Sequence, residues 1–298
     1  MRILLTGATG HLGPYVLREL RGRGLHAWGW RRDAGGRLFD LPIRQVDVAD
    51  APAVARAWSE EPPTHVLHAA ALSAIADCYR DPAAAERINV AGTRHLAEHA
   101  RRFGARLLFV STDLVFDGAK GDYTETDVPR PLSIYARSKL AAETVVADLP
   151  QALIVRVSWL LGPKLVGPPR FLDDLLAKLR AGQPVRLFTD EYRSVLPLTW
   201  AARALVDALL SDATGLLHLG GPERISRYEL GLRLAEHLQE PMELVEGCQQ
   251  ADVPAPEPRP RDVSLSSQRW GERIPDHVWP SFAQGLAEVV PANGGGAS

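Results

Sequence analysis

The sequence has few features of secreted, metal-binding or nucleic-acid-binding proteins. Its only cysteines, Cys78 and Cys248, show neither metal-site spacing nor a disulfide framework, so we expect a reducing compartment and no metal site. A net charge of -2, with no basic cluster beyond pairs such as Arg31 and Arg32, argues against nucleic-acid binding. No apolar run approaches the length of a membrane span, and the first strand leaves no room for a signal peptide. We therefore expect a cytoplasmic protein, without a membrane partner, that acts on small molecules.

Short apolar runs alternate with amphipathic segments through the first half of the chain. This alternation predicts an α/β fold, with residues 1–162 forming a doubly wound parallel Rossmann sheet that binds a dinucleotide. The regular alternation of strands and helices ends after this point, and residues 163–292 are expected to form mainly a smaller C-terminal substrate-binding region. Within it, residues 199–220 are expected to return to the Rossmann sheet. Residues 293–298 are predicted to be a disordered tail.

A glycine-rich turn lies between the first predicted strand and the first predicted helix. Residues 6–13 read TGATGHLG, after the apolar run 2–5 and before the amphipathic run 15–21. Spaced glycines in this context allow a tight turn and a close backbone approach, with helix-start amides facing a diphosphate. The alternative is a turn that only packs. The cofactor contacts expected here are Gly7, Thr9, Gly10, His11, Leu12 and Gly13.

The end of the second predicted strand favours NADPH as the cofactor. An acidic residue here usually meets the free ribose hydroxyls of NADH, whereas arginine accommodates a 2′-phosphate. Arg31 and Arg32 both precede Asp33, so we predict NADPH; NADH stays open if the arginines are ordinary loop charges. Further cofactor contacts are expected at Asp47, Val48, Ala69, Ala70, Ala71 and Asn89. Asn89 is included because a polar amide disfavours the interior of the helix predicted over 76–103, and it could position a water near Lys139.

A tyrosine and a lysine four residues apart predict the chemistry. Tyr135 and Lys139 would share one face of a helix, where the ammonium favours the phenolate and lowers the tyrosine pKa from about 10. Thr112 follows the apolar run 107–110 and could hydrogen-bond a substrate oxygen. A lone Tyr-x-x-x-Lys is common by chance, but the nucleotide-binding turn upstream favours a role in proton transfer. We therefore predict Thr112, Tyr135 and Lys139 as the catalytic residues, with Tyr135 and Lys139 also contacting the cofactor.

Several stretches together carry a family resemblance. They are TGATGHLG at 6–13, NVAGT at 89–93, STDLVFDG at 111–118, YTETD at 123–127, YARSK at 135–139, RVSW at 156–159 and LHLGG at 217–221. With these motifs the chain resembles the extended short-chain dehydrogenase/reductase family, and most of all its dTDP-4-dehydrorhamnose reductase group. The likeness covers most of the chain and is specific up to about Pro163.

The resemblance implies an NAD(P)H-dependent reductase of a nucleotide-linked 4-keto sugar in which Tyr135 is the general acid. It also implies that Thr112 and Lys139 complete the catalytic set and that the C-terminal region binds a sugar nucleotide. The substrate contacts expected on this basis are Val115, Phe116, Trp159 and Arg193.

Departures from the relatives' patterns refine this expectation. Similar dehydratases carry Thr-Asp-Glu, and Leu114 in the third place disfavours dehydration. Epimerases usually carry Ser-Ser where this chain has Ser111 and Thr112, which favours simple reduction. Related reductases carry a Pro-Thr pair soon after an acidic residue that corresponds to the region of Asp190. Here residues 194–198 read SVLPL instead, so the identity of the substrate stays open. Glu191 is expected to be a solvated loop charge or a cap.

Two alternatives follow from the same family. One is a cofactor-binding regulatory subunit similar to the beta subunit of methionine adenosyltransferase. The other is a reductase or epimerase that acts on another sugar nucleotide or on a small carbonyl compound. A homodimer also stays open, because the apolar residues around 135–146 suit either a partner or the protein's own core.

Overall fold

The fold is built on fourteen strands, eight of which form one sheet, in a computed structural model that describes residues 1–274 and 281–291. The strands are β1 Ile3–Thr6, β2 Ala27–Arg31, β3 Gly36–Leu38, β4 Leu41–Gln45, β5 His65–His68, β6 Arg106–Thr112, β7 Ala152–Val157, β8 Leu160–Leu161, β9 Val185–Phe188, β10 Tyr192–Ser194, β11 Leu196–Pro197, β12 Gly215–Leu219, β13 Arg224–Ser226 and β14 Val245–Cys248. The predicted tail, residues 293–298, lies outside the described residues.

The large sheet has the order β12-β7-β6-β5-β1-β2-β4-β3. Every neighbouring pair is parallel except β3 with β4. Leu5 of β1 lies opposite Gly29 of β2 on one side and Leu67 of β5 on the other. A mostly parallel sheet of this kind confirms the predicted α/β Rossmann-like class.

Eleven α-helices accompany these strands in the described residues. They are α1 Gly13–Gly22, α2 Ala51–Glu60, α3 Ile75–Arg80, α4 Pro82–Ala85, α5 Gly92–Phe103, α6 Ile134–Ala147, α7 Phe171–Arg180, α8 Leu198–Leu210, α9 Arg227–Leu238, α10 Gln268–Arg273 and α11 Phe282–Val289. A π-helical turn, Glu86–Ala91, joins α4 to α5. In the part of the chain that is described, no helix has the length and apolar character needed to cross a membrane.

Alternating residues of the central strands build a core on each face of the sheet. Leu5 and Leu108 pack with α1 and α8, whereas Leu4 and Phe109 pack with α2, α5 and α6. Successive side chains of a strand point to opposite faces, so a strand buried on both faces must be apolar throughout. Burying each such leucine contributes about 1.5–3 kcal/mol.

The predicted return of residues 199–220 can be compared directly with the structure. Helix α8 packs against α1, and Leu217 of β12 lies opposite Val155 of β7 in the large sheet. The other elements after residue 163 gather around a separate apolar cluster that includes Leu172 and Leu234. The division into domains at residue 162 stays a prediction.

The continuous helix predicted over residues 76–103 is wrong. Asp81 ends α3, and its side chain accepts a hydrogen bond from the amide of Ala84 in the first turn of α4. Pro82 has no amide with which to continue the preceding helix. Two helices and a π-helical turn therefore precede α5.

Candidate active site

A cleft of about 820 Å³ opens at the carboxyl ends of the central strands. Its sheet side is lined by residues that follow β1 and β5 or end β6 and β7: His11, Leu12, Ala69, Ala71, Val110, Ser111, Thr112, Asp113, Val157 and Ser158. The opposite wall comes from later parts of the chain: Arg170, Phe171, Phe188, Glu191, Arg193, Arg227 and residues 255–260. Ligands of open α/β sheets bind at this edge, so we take the cleft as the candidate active site.

The three predicted catalytic residues all line this cleft. Thr112 is the last residue of β6, and Tyr135 lies in the first turn of α6, which Ser133 caps by accepting a hydrogen bond from Ala136. Lys139 follows one turn later and is only 3% exposed. Its ammonium nitrogen lies 3.9 Å from the centre of the Phe109 ring.

The protonation of Tyr135 differs from the sequence-based expectation. Burial and the Asp113 carboxyl raise the pKa of Tyr135, whereas a hydrogen bond with Thr112 acts in the opposite direction. Burial also lowers the pKa of Lys139 to about 7, against the opposing effect of the Glu143 carboxylate. The expected lowering of the tyrosine pKa is wrong here, because burial of the phenol and the Asp113 carboxyl together outweigh the hydrogen bond with Thr112.

Buried charges line the cleft beside Thr112. The Asp113 carboxylate accepts hydrogen bonds from Ser158 at 3.0 Å and from Thr112 at 3.2 Å, and Arg193 Nε lies 3.6 Å from it. Burial raises the pKa of Asp113. The signal for Asp113 is its place directly after Thr112, yet sequence reasoning did not select it.

Glu191 is not the solvated loop charge that the sequence suggested. It is 3% exposed, and Oε1 lies 3.2 Å from Arg193 Nη2 and 2.8 Å from Arg227 Nη2. These arginines hold the pKa of Glu191 below its usual range, although burial opposes them. The Arg227 guanidinium also lies 4.6 Å from the Trp159 ring centre, so it joins the predicted substrate residues Trp159 and Arg193 at this wall.

Val115 and Phe116 do not reach the cleft, contrary to the prediction. Both are fully buried, because the 3₁₀ turn Asp113–Val115 leads them away from Thr112 and into a small core. There the Phe116 ring stacks on Tyr123 with 4.1 Å between ring centres. Their role is packing rather than substrate contact.

The glycine-rich loop is packed too closely for larger residues. Gly7 has a φ of +71°, and a Cβ there would come within 2.8 Å of the backbone of Ala69 and Ala70. A Cβ on Gly13 would lie 2.3 Å from the carbonyl oxygen of Gly7. His11 lines the cleft, and burial with the nearby Arg170 and Lys164 charges lowers its pKa to about 4. Thr9 and Gly10 belong to the same loop, where the Thr9 carbonyl accepts a hydrogen bond from Lys164.

The cofactor contacts predicted at residues 31, 32, 47 and 48 lie at or just after the carboxyl ends of β2 and β4, on one side of β1 in the sheet. Arg31 ends β2, and its Nη2 lies 3.5 Å from Asp33, while Arg32 Nε lies 3.6 Å from the same carboxylate. Asp47 accepts a hydrogen bond from the amide of Ala49 at 2.9 Å. Val48 is buried. None of the predicted residues 31, 32, 47 and 48 lines the described cleft.

Asn89 lies outside the cleft, and its amide is fully engaged by the protein. Its oxygen accepts a hydrogen bond from the Leu72 amide, and its nitrogen donates to Leu72 O and to Ser138 Oγ. The side chain therefore fastens the segment after β5 to α6. Its predicted role of positioning a water near Lys139 stays a prediction.

Residues 1–293 match the model of a family described as the RmlD substrate binding domain. The chain belongs to this family. The chain is 32% identical to the dTDP-4-dehydrorhamnose reductase of Mycobacterium tuberculosis, with 98% of this chain and 94% of that protein covered. It is also 28% identical to the methionine adenosyltransferase 2 subunit beta of Bos taurus, covering 94% and 87%.

A solved structure shows the same likeness in three dimensions. The crystal structure of a dTDP-4-dehydrorhamnose reductase from Clostridium acetobutylicum matches with a TM-score of 0.85 at 25% identity, covering 97% of this chain and 98% of that chain. The predicted resemblance is confirmed: this is an NAD(P)-dependent oxidoreductase of the extended short-chain dehydrogenase/reductase family, in the dTDP-4-dehydrorhamnose reductase group.

Proposed function

We propose that the protein reduces a nucleotide-linked 4-keto sugar, such as dTDP-4-dehydrorhamnose, with NADPH. The observation that carries the proposal is the presence of Thr112, Tyr135 and Lys139 in one cleft beside the glycine-rich loop. The relatives named above support the substrate class, and the two cysteines, both free and buried, accord with a cytoplasmic location.

The chain's own residues fit a dinucleotide. The loop around Gly7 and Gly13 leaves backbone, rather than side chains, at the start of α1, where a diphosphate would be bound. Arg31 and Arg32 would hold the 2′-phosphate, and Ala69 and Ala71 would leave room beside the sheet. When bound, NADPH would supply the hydride.

Tyr135 would act as the general acid. Burial and the Asp113 carboxyl favour its neutral form, which is the form that can donate a proton to an oxygen on the reduced carbon. Thr112 would turn its hydroxyl proton from Asp113 to that same oxygen, giving it a second donor as negative charge develops. Lys139 would bind the cofactor's ribose through its nitrogen.

A paired experiment tests this function. The purified protein is titrated with NADPH and with NADH, and the absorbance of the reduced nicotinamide is then followed after addition of dTDP-4-dehydrorhamnose. We expect tighter binding of NADPH and its oxidation with the keto sugar. Binding without oxidation, across several nucleotide 4-keto sugars, would overturn the proposal.

The likeness to the methionine adenosyltransferase 2 subunit beta favours one second candidate, a regulatory subunit. That function predicts a stoichiometric partner on purification and no NADPH oxidation by any keto sugar. The proposed reductase predicts turnover by the isolated chain. The homodimer is tested separately by sedimentation of the purified protein, where a mass of two chains would support it.

A further inference from the structure

The segment of residues 255–260, which contains three prolines, forms part of the cleft wall opposite the sheet. Arg259 holds this segment against the residues that precede it. Its Nη1 donates to the Val253 carbonyl at 2.6 Å, and its Nη2 donates to the Pro254 carbonyl at 3.5 Å. The guanidinium also lies 5.1 Å from the centre of the Phe188 ring. The wall is therefore a built feature whose side chains have defined positions.

Glu257 is the acidic residue of this wall. It is 9% exposed, and its Oε1 accepts a hydrogen bond from the amide of Ile134, the first residue of α6, at 2.8 Å. Arg137 Nη2 lies 3.6 Å from the same oxygen. The second oxygen, Oε2, is buried and has no hydrogen-bond partner among the described residues.

Helix capping explains only half of this carboxylate. Oε1 accepts a hydrogen bond from a free amide at the start of α6. Oε2 has no donor within the described part of the protein, and burying an acceptor without a hydrogen bond costs free energy. A ligand donor would remove this cost. Glu257 lines the cleft, so a turn of its carboxylate about the Oε1 hydrogen bond would bring Oε2 within reach of a donor on a bound molecule.

The position of Glu257 indicates which molecule would supply the donor. Ile134, its partner, directly precedes Tyr135, whereas Lys139 follows Tyr135 by one turn toward the other end of α6. If Lys139 holds the cofactor, Glu257 lies on the substrate side of Tyr135. Sugar hydroxyls are the donors that a 4-keto sugar carries beside its carbonyl.

We infer that Glu257 determines substrate specificity by accepting a hydrogen bond at Oε2 from a ring hydroxyl of the sugar. The inference rests on the proposed function. It selects sugars with a hydroxyl donor near the carbonyl, and it disfavours small carbonyl compounds and sugars that place a carboxylate at this point.

The test removes the hydrogen bond from each side in turn. Calorimetry measures the Kd of dTDP-rhamnose, and of analogues that each lack one ring hydroxyl, for wild type and Glu257→Gln with NADP present. The glutamine keeps an acceptor for Ile134. We expect loss of one particular hydroxyl to weaken wild-type binding about tenfold or more, and to leave Glu257→Gln binding nearly unchanged.

The matched control is Glu229→Gln, which makes the same change at the start of α9, where Glu229 accepts a hydrogen bond from Ser226 and does not line the cleft. It should respond to each missing hydroxyl as wild type does. If Glu257→Gln does not fold, Glu257→Asp keeps the charge but shortens its reach, and it should lose the same selectivity.

The outcomes separate the two proposals. If the role of Glu257 were purely structural, Glu257→Gln would weaken the binding of every analogue by the same factor. Wild type and variant would then respond equally to each missing hydroxyl, which would overturn the inference and leave the proposed reductase function standing. Failure of wild type to bind or reduce any nucleotide sugar would overturn the proposed function and this inference with it.

Discussion

Arg156 Nη2 donates to Glu143 Oε2 across 2.7 Å, and both side chains are buried beneath the candidate active site. Ser111, the residue before Thr112, donates to the other oxygen of the same carboxylate. Glu143 also lies one helical turn after Lys139. The pair therefore ties β7 to α6 and fixes the strand end that carries Thr112.

Glu143→Gln should be strongly destabilising. It leaves the buried Arg156 cation without its counter-ion, and breaking such a pair from one side costs about 3–5 kcal/mol in the free energy of unfolding. Urea unfolding measures the change. Asp40→Asn, which removes the exposed Arg21–Asp40 pair, is the control and should change stability by less than about 1 kcal/mol. Similar losses in the two variants would contradict the assigned role of the buried pair.

The stability of the protein should depend on pH through Lys139. Its pKa is lowered to about 7 in the folded chain, whereas an unfolded lysine titrates near ~10.4. Between these values only the unfolded chain holds the proton, so the free energy of unfolding rises with pH. Relative to Lys139→Met, wild type should gain about 2 kcal/mol between roughly pH 7 and 9.

Urea unfolding of both proteins across this range provides the measurement. Lys178→Met serves as the comparison, because Lys178 is an exposed residue of α7. Its difference from wild type should stay constant with pH. A constant difference for Lys139→Met as well would show that Lys139 keeps its proton throughout this range.

Tyr135→Phe should separate cofactor binding from turnover. It removes the proposed acid while keeping the ring, so NADPH affinity should stay near that of wild type while turnover falls about 100-fold or more. Tyr123→Phe is a suitable control, since that hydroxyl donates to Asp117 outside the cleft. Tyr135 would be removed from the mechanism if both variants turned over equally.

Local patterns explain why much of the site could be predicted. The glycine-rich turn lies between β1 and α1, and Tyr135 and Lys139 sit one turn apart on α6, so spacing alone defines these features. The place of Thr112 at a strand end could be predicted from the apolar run that precedes it in β6. Each of these inferences depends on neighbours within a few residues.

The rest depends on contacts between distant parts of the chain. Glu191 looked like a loop charge, but pairing of β10 with β13 brings Arg227 to it and buries it. Phe116 follows Thr112 closely, yet its stacking partner Tyr123 places it in a core. Nothing in the pattern of residues 255–260 shows that their wall faces Tyr135.

Arg31 and Arg32, at the end of β2, should decide the choice of cofactor. Arg31 Nε is buried without a hydrogen-bond partner, and both Arg31 and Arg32 meet Asp33 only at 3.5–3.6 Å, so they can bind a phosphate. The double variant Arg31→Ala/Arg32→Ala should weaken NADPH binding about tenfold or more while changing NADH binding little. Arg37→Ala, at an exposed position of β3, should affect neither. Fluorescence titration of the three proteins with both cofactors gives the comparison, and an equal loss of both affinities would mean that the arginines do not read the 2′-phosphate.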